Sequence, residues 1–258
     1  MHNYIKPLVK SFKENANPDN AEPMAKYMKN LFPYLGIKTP LRKELFRSFI
    51  KENGLPKISD LKQIVLDLWD LPEREFQYIA IGILRKFTKR WEENFIDLFE
   101  QLIITKSWWD SVDGIASWMV GEHFKRFPHL RDKYIDKWMK SGNMWLQRTC
   151  LLFQLGYKDK TDEMLMGSVI MSLNGSKEFF INKAIGWILR EYSKIDAQTV
   201  IKFVENNELS NLSKREALKW LKNQGKLGIT DEKKIKQRTS LVETSAWQAK
   251  ANKNIFHS

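Results

Sequence analysis

Apolar residues recur at helical spacing through most of the chain and predict an almost wholly helical protein. The predicted helices form pairs, and the pairs repeat with a period close to 35 residues. The second helix of each pair follows a helix-start signal near residue 72, 107, 143, 176 or 213. An amphipathic helix precedes each of them, at residues 61–69, 95–104, 130–138, 164–173 and 200–204. Two helices per 35-residue repeat are typical of an α-solenoid, so we predict an all-α repeat fold.

The chain also contains segments on either side of the repeats. Three earlier helices are predicted, at residues 4–12, 24–31 and 41–53. Thr39 and Pro40 suit an N-cap followed by proline at the first helical position of the third. The pattern decays after Gly225, so we expect a repeat domain over residues 1–224 and a basic extension over residues 225–258. That extension is predicted to be a short helix and a loose tail, and both a DNA-binding arm and a flexible solubilising end remain open.

One stretch, at residues 106–116, combines aromatic and acidic side chains on a single predicted helix. Ser107 suits the N-cap of that helix. Trp109 and Asp113 are four residues apart, so they share one helix face. Taken alone, core packing would explain Trp109 and an ion pair would explain Asp113. The repeat in which they lie favours a functional interpretation.

Polar residues recur at the period of the repeat. A step of 35 residues from Asp113 reaches Arg148, a second reaches Lys183, and one step backwards reaches Tyr78. Trp187 lies one helical turn past Lys183. Equivalent positions stack in a solenoid, so these residues should form a row. A buried row would be apolar, and we therefore predict that this one lines a solvent-facing concave groove, although the period alone leaves the face open.

Composition and charge indicate the kind of partner. The net charge of +12 and a pI near 9.5 point to a polyanion, most often nucleic acid, with a membrane surface as the weaker option. Ten Trp, 15 Phe and 43% hydrophobic residues favour a folded protein. The sequence shows no apolar run of spanning length and no secretory leader, so we expect a cytoplasmic protein. The one cysteine, Cys150, lies in an apolar helical stretch and is expected to be an inert core thiol.

Several kinds of chemistry have no sequence signal. The chain has no glycine-rich phosphate loop, and its four histidines do not have metal-ligand spacing. We therefore expect no metal and no cofactor. Four acids in predicted first turns complement helix dipoles and are assigned structural roles before catalytic ones. These acids are Glu73, Glu75, Glu178 and Glu216.

Five segments together resemble the AlkD-type bacterial alkylpurine DNA glycosylases. The segments are residues 20–30, 68–76, 106–113, 145–148 and 176–191. They are long, ordered and correctly spaced, and the resemblance covers residues 1–224. The loop at residues 34–40 departs from the family pattern at Lys38, which affects only minor contacts.

The resemblance implies HEAT-like repeats wound into a right-handed superhelix, with a basic concave groove that holds duplex DNA. It implies a base excision repair enzyme that hydrolyses the N-glycosidic bond of cationic lesions such as N3-methyladenine and N7-methylguanine. Trp109, Asp113 and Trp187 would then surround the deoxyribose of the lesion as catalytic residues. The positions expected to bind DNA are Arg148, Lys183, Arg190, Tyr27 and Thr39. We expect a monomer.

These residue types suit that reaction. Glycosidic cleavage passes through an oxocarbenium-like sugar, and an alkylated purine already carries the positive charge that makes it a good leaving group. One carboxylate, Asp113, then suffices to stabilise the sugar cation and to hold or deprotonate the attacking water. Trp109 and Trp187 offer aromatic faces that attract positive charge. A row along a groove predicts a shallow surface without an enclosing base pocket, which would also tolerate bulky cationic adducts.

A second hypothesis is a non-catalytic helical-repeat scaffold that binds DNA or an acidic protein partner. Scaffolds are a common use of solenoids, and a fold alone does not define a function. A protein that only binds the DNA backbone gains nothing from Asp113 in a positive groove, because its carboxylate would repel phosphate. That residue therefore favours the glycosylase.

Overall fold

The computed structural model describes residues 1–227, and every regular element among them is a helix. The α-helices of this part of the chain are α1 (Lys6–Glu14), α2 (Pro18–Tyr27), α3 (Thr39–Asn53), α4 (Ile58–Asp70), α5 (Arg74–Lys86), α6 (Phe95–Ile104), α7 (Trp109–Gly114), α8 (Gly121–Arg126), α9 (Pro128–Lys140), α10 (Met144–Leu152), α11 (Glu163–Leu173), α12 (Phe179–Tyr192), α13 (Ala197–Asn206) and α14 (Asn211–Asn223). A π-helical segment, Ile115–Val120, joins α7 to α8.

The predicted all-α repeat fold is confirmed. Each predicted repeat contains two helical rods, from the pair α4 and α5 to the pair α13 and α14. In the second repeat the second rod is made of α7, the π-helical segment and α8 in succession. The helix predicted at residues 95–104 has those bounds in the structure. The succession of helix pairs is that of an α-solenoid of HEAT-like repeats.

The chain divides into two compact units, Met1–Leu98 and the part from Phe99 onward, with the boundary inside α6. In the first unit α1 packs against α3, and α4 packs against α5. In the second unit α10 contacts both α7 and α12, and α12 contacts α14. The second helices of successive repeats are therefore neighbours within the second unit, which is the stacking that the period predicts.

Close packing of α12 on α14 depends on a glycine. A Cβ atom added at Gly186 would lie 2.4 Å from the Cβ of Glu216 and 2.8 Å from the backbone oxygen of Ser213. The Ser213 hydroxyl donates to the backbone oxygen of Asn182 at 2.8 Å, so the two helices are also hydrogen-bonded. This contact fixes the position of the α14 side chains beside α12.

We expect Gly186→Ala to lower the free energy of unfolding by about 1–3 kcal/mol, because the added methyl group overpacks a helix interface that contains backbone atoms. Gly114→Ala is the matched control, since a Cβ there would meet nothing within 4 Å. Alanine is the better helix former, so that variant should be neutral or gain up to about 1 kcal/mol. Urea denaturation of both variants measures the difference, and equal midpoints would contradict the close packing.

The last described helix, α14, ends in a glycine cap. After α14 the backbone N–H of Lys226 bonds to Leu221 and that of Gly225 bonds to Lys222, with Gly225 at a φ of +61°. This is a Schellman motif, which a glycine at this position favours. The predicted short helix and loose tail fall almost entirely on residues 228–258, outside the described residues.

Two predicted N-caps are wrong. The helix after residue 106 begins at Trp109 and its N-cap is Trp108, whereas the Ser107 hydroxyl donates to the backbone oxygen of Ile103 at 2.6 Å and so serves the end of α6. Thr39 is the first residue of α3, and its N-cap is Lys38. A hydroxyl can satisfy either a preceding carbonyl or a following N–H, and the sequence does not show which.

The start of α2 was predicted too late, whereas the burial of Cys150 was predicted correctly. The second helix starts at Pro18, six residues before the predicted residue 24, because Pro23 is tolerated inside it. Asn17 caps this helix by accepting from the backbone N–H of Asn20 at 3.1 Å. Cys150 is buried, as predicted, and burial raises the pKa of its thiol.

Candidate active site

Asp113 and Arg148 form a bidentate ion pair between α7 and α10. Arg148 Nε donates to Asp113 Oδ1 at 2.7 Å, and Arg148 Nη2 donates to Asp113 Oδ2 at 2.8 Å. The pair spans one 35-residue step, so these two members of the predicted row are neighbours in space. Two parallel N–H···O bonds fix both the distance and the plane of the carboxylate.

Arg148 is also bound to the next repeat. Its Nη1 donates to the backbone oxygen of Phe180 in the first turn of α12. Its side chain is only 2% exposed, and these contacts use three of the five guanidinium N–H groups. The guanidinium therefore links α7, α10 and α12, and in this arrangement its main contact is with Asp113.

An aromatic cluster lies beside this ion pair. Phe180 packs against Trp108 and Trp145 with both ring centroids at 5.0 Å, and those two indoles are 5.8 Å apart. The Arg148 Cζ atom is 5.7 Å from the Phe180 ring centroid. Sequence reasoning missed this cluster, although Trp145 and Phe180 are one 35-residue step apart and so carried the same signal as the polar row.

Asp113 is a half-buried carboxylate with raised proton affinity. Its side chain is 16% exposed. Its pKa is raised above the ordinary aspartate value, first because burial disfavours the charged form, and Asp110 adds to the shift while Arg148 opposes it. A carboxylate offers about four lone-pair sites, so the two bonds from Arg148 leave acceptor capacity for a water molecule or a sugar.

The backbone at Asp113 is held from the following segment. The Ser117 hydroxyl, in the π-helical segment Ile115–Val120, donates to the backbone oxygen of Asp113 at 2.6 Å. π-Helical insertions are found mostly as single turns within helices, frequently at functional sites. Here the insertion directly follows the last turn of α7 and continues the same helical rod.

The two predicted catalytic tryptophans are both partly exposed. Trp109 is the first residue of α7 and lies one turn before Asp113 on the same face. Trp187 is on α12, about two turns beyond Phe180, whose backbone oxygen holds Arg148. Partly exposed aromatic faces can contact a ligand, whereas the indoles of the adjacent cluster pack on one another.

Lys183 and Arg190 share one carboxylate. Lys183 Nζ lies 2.7 Å from Glu216 Oε1, and Arg190 Nη1 lies 2.9 Å from Glu216 Oε2. The side chains of Lys183 and Arg190 are 38% and 22% exposed, whereas that of Glu216 is 7% exposed. Both cations therefore reach the surface while their charge is partly offset from beneath.

Tyr27 and Thr39 lie in the first unit and are both exposed, Tyr27 by 72%. Tyr27 is the last residue of α2, and Thr39 is the first of α3. Tyr78, the remaining member of the predicted row, also lies in this unit, and its place in the row stays a prediction. Its hydroxyl is 3.1 Å from that of Tyr34, in the loop between α2 and α3.

Glu75 holds the loop between α2 and α3 in place. Its carboxylate accepts the backbone N–H groups of Leu35, Gly36 and Ile37 at 2.9–3.0 Å. The side chain is fully buried. Three charge-assisted bonds to one loop make this a structural carboxylate, in line with the role assigned from the sequence.

Residues 1–227 contain neither a candidate metal site nor a candidate membrane-spanning helix. No group of three or more His, Cys, Asp or Glu side chains there could hold a metal ion. No helix in that part of the chain has the length and apolar character needed to cross a bilayer.

The fold and the ion pair define a helical-repeat protein with a half-buried carboxylate beside aromatic residues. The chain matches the family model described as DNA alkylation repair enzyme over residues 8–221. It belongs to that family, whose members are DNA repair enzymes.

A solved structure gives a consistent result. It is described as a predicted DNA alkylation repair enzyme from Enterococcus faecalis, and it is 33% identical to this chain with a TM-score of 0.74. The match covers 80% of this chain and 96% of that one. No curated protein matches the chain.

Proposed function

We propose that this protein is a monofunctional DNA glycosylase that hydrolyses the N-glycosidic bond of cationic alkylated purines in duplex DNA. N3-methyladenine and N7-methylguanine are the substrates that the chemistry fits best. The observation that carries the proposal is the half-buried Asp113 carboxylate, held by two bonds from Arg148 and lying one turn from Trp109. The domain that acts is residues 1–224.

The reaction needs little from the protein because the leaving group is already charged. The bond between C1′ and the purine nitrogen breaks, and the base leaves with the electron pair and becomes neutral. Asp113 stabilises the sugar cation, and water then adds to C1′ and gives up a proton. The raised pKa of Asp113, caused mainly by burial, suits a carboxylate that accepts that proton.

The aromatic residues supply further stabilisation. Trp109 and Trp187 present indole faces to the positive charge that develops on the sugar, a cation–π contact worth about 1 kcal/mol or more once water is excluded. No enclosing pocket for the base is invoked, so bulky cationic adducts should also be substrates. Such adducts leave for the same electrostatic reason as methylated bases.

Binding of the duplex is assigned to exposed residues on both units. Lys183 and Arg190 reach the surface of α12, and their remaining donors can meet phosphate oxygens. Tyr27 and Thr39 are the corresponding candidates of the first unit. For Arg148 we propose a positioning role toward Asp113 in place of a direct phosphate contact, because its side chain is 2% exposed.

One observation favours the second candidate, a non-catalytic scaffold that binds DNA. Both oxygens of Asp113 are occupied by Arg148, as they would be in an ion pair whose only role is to join α7 to α10. A scaffold of this kind would bind duplex DNA and release no base. The same assay distinguishes the two functions.

The test is release of purines from duplex DNA treated with a methylating agent. We expect methylated bases to be freed, to leave abasic sites without strand cleavage, and to be freed equally in EDTA, because water is the nucleophile and no metal is required. Borohydride should trap no covalent adduct, since the Lys183 ammonium is ion-paired with Glu216. Binding without base release would establish the scaffold, and a trapped adduct would point to a lysine nucleophile.

A further inference from the structure

Among the described residues, Glu216 is the only acidic side chain that forms a hydrogen bond or ion pair with Lys183 or Arg190. The two cations lie seven residues apart on one face of α12, and Glu216 reaches between them from α14. The close approach of the helices at Gly186 brings the Glu216 backbone within reach. The trio therefore carries two positive charges and one negative charge in a single small patch.

The negative charge of this patch is permanent at neutral pH. Burial alone would raise the pKa of Glu216, but Lys183, Arg190 and the nearby Lys219 lower it below the ordinary glutamate value. Lys183 uses one of its three N–H groups on Glu216, and Arg190 uses one of its five. Donors remain for DNA, while the net charge offered to DNA is one unit instead of two.

We propose that Glu216 restrains DNA binding: it halves the net charge of the Lys183–Arg190 patch and so limits the affinity of the protein for any duplex, damaged or not. This inference rests on the proposed function, because it requires that the patch faces phosphate. Glu216 thereby acts as a determinant of affinity without contacting the substrate.

Electrostatics gives the size of the effect. Each phosphate that a protein neutralises releases counterions and steepens the dependence of log K on log salt by about 0.9. Removing the negative charge of Glu216 should therefore steepen that slope by about 0.9. When the salt concentration is lowered from 1 M to 0.1 M, the affinity of the variant for DNA should therefore rise about eightfold more than that of the parent protein.

The first experiment compares Glu216→Gln with Glu191→Gln by titrating an undamaged duplex at several salt concentrations. Glutamine keeps the shape of Glu216, and its two partners are partly exposed, so water can replace the lost acceptor. Glu191 is the matched control. It lies on α12, about 100° around the helix from Arg190, and pairs at 2.6 Å with Lys194, which follows the end of the helix. We expect a steeper slope and tighter binding for Glu216→Gln alone. The inference is overturned if Glu216→Gln binds the duplex no more tightly than the parent protein. It is also overturned if Glu191→Gln gains as much affinity as Glu216→Gln.

A second experiment leaves Glu216 intact, so it does not depend on how Glu216→Gln folds. Two independent phosphate contacts would together contribute about 1.8 to the salt slope. With Glu216 present the patch has a net charge of +1 and neutralises one phosphate, whereas the double variant Lys183→Gln/Arg190→Gln has a net charge of −1 and neutralises none. We therefore expect the double variant to lose only about 0.9 of the slope. A loss near 1.8 would show that Glu216 restrains nothing, and no loss would show that the patch does not meet DNA.

Turnover rates distinguish a restraint on DNA binding from a purely structural role of Glu216. Single-turnover base release at saturating enzyme should be the same in Glu216→Gln as in the parent protein. The multiple-turnover rate should fall severalfold, because the abasic product leaves more slowly when DNA is held more tightly. If neither protein releases bases but the salt slopes behave as expected, the glycosylase proposal fails while the restraint on DNA binding stands.

Discussion

Base release by Asp113→Asn should be at least about tenfold slower than by the parent protein, while DNA binding is kept or strengthened. A tenfold change corresponds to about 1.4 kcal/mol of lost transition-state stabilisation. The amide keeps the shape of the carboxylate but has no charge for the sugar cation and cannot accept the proton of water. Removing a negative charge from the surface proposed to bind DNA favours phosphate, so affinity for undamaged duplex should not fall. Single-turnover release of N7-methylguanine measures the rate, and fluorescence anisotropy measures the binding.

Asp110→Asn is the matched control. Asp110 lies on α7 three residues before Asp113, and its charge raises the pKa of Asp113. This variant removes the same charge from the same helix but leaves the bonds to Arg148 in place. Its rate at neutral pH should be within about twofold of the parent. Equal slowing by both variants would mean that the local charge matters and that Asp113 has no direct part in the reaction.

Lesions that depart spontaneously give a second check on Asp113. A lesion that leaves DNA over a lower barrier needs less stabilisation by the carboxylate, so its loss of rate on Asp113→Asn should be smaller. Both variants must first be shown to fold, since Arg148 is almost fully buried and the amide that replaces the Asp113 carboxylate can accept only one of its two bonds. Thermal melts establish this if the midpoints of both variants lie well above the assay temperature.

The fold could be predicted because it depends on a period. Two helices per 35 residues are visible in one sequence, and the structure has them at the expected places. The bounds of single helices were harder to predict, since Pro23 is tolerated inside α2 and the Ser107 hydroxyl serves the helix before it. These outcomes depend on local competition for hydrogen bonds that spacing does not reveal.

The candidate site could be predicted only in part. The 35-residue step placed Asp113 beside Arg148, as the ion pair between them shows. The step also suggested outward-facing cations, whereas Arg148 is 2% exposed and Lys183 is paired with Glu216. A period identifies equivalent positions but not the burial of each side chain. Glu216 was predicted to be a first-turn acid, but α14 begins at Asn211 and places it in the second turn. Only the approach of α14 to α12 reveals its two partners.

Replacement of Arg148 by glutamine should affect stability, pH dependence and catalysis together, because Arg148 is the counter-charge of a half-buried acid. At neutral pH we expect the free energy of unfolding to fall by about 3 kcal/mol, the lower end for breaking a buried pair, since Asp113 keeps some contact with water. That deficit should shrink on acidification, because a protonated carboxyl group needs no counter-charge. Urea denaturation at several pH values measures it.

The pH dependence of base release provides the sharper test of Arg148. In the proposed reaction the ionised form of Asp113 is the active one, so the rate should fall as the pH drops through its pKa. Arg148 lowers that pKa against the effect of burial, and its loss must move the acid limb of the rate profile to higher pH. A residue that only contacts phosphate would instead weaken binding to all duplexes, reduce the salt slope by about one, and leave the acid limb in place. The double variant Asp113→Asn/Arg148→Gln has no unpaired buried charge at these two positions, so it should regain stability without regaining activity.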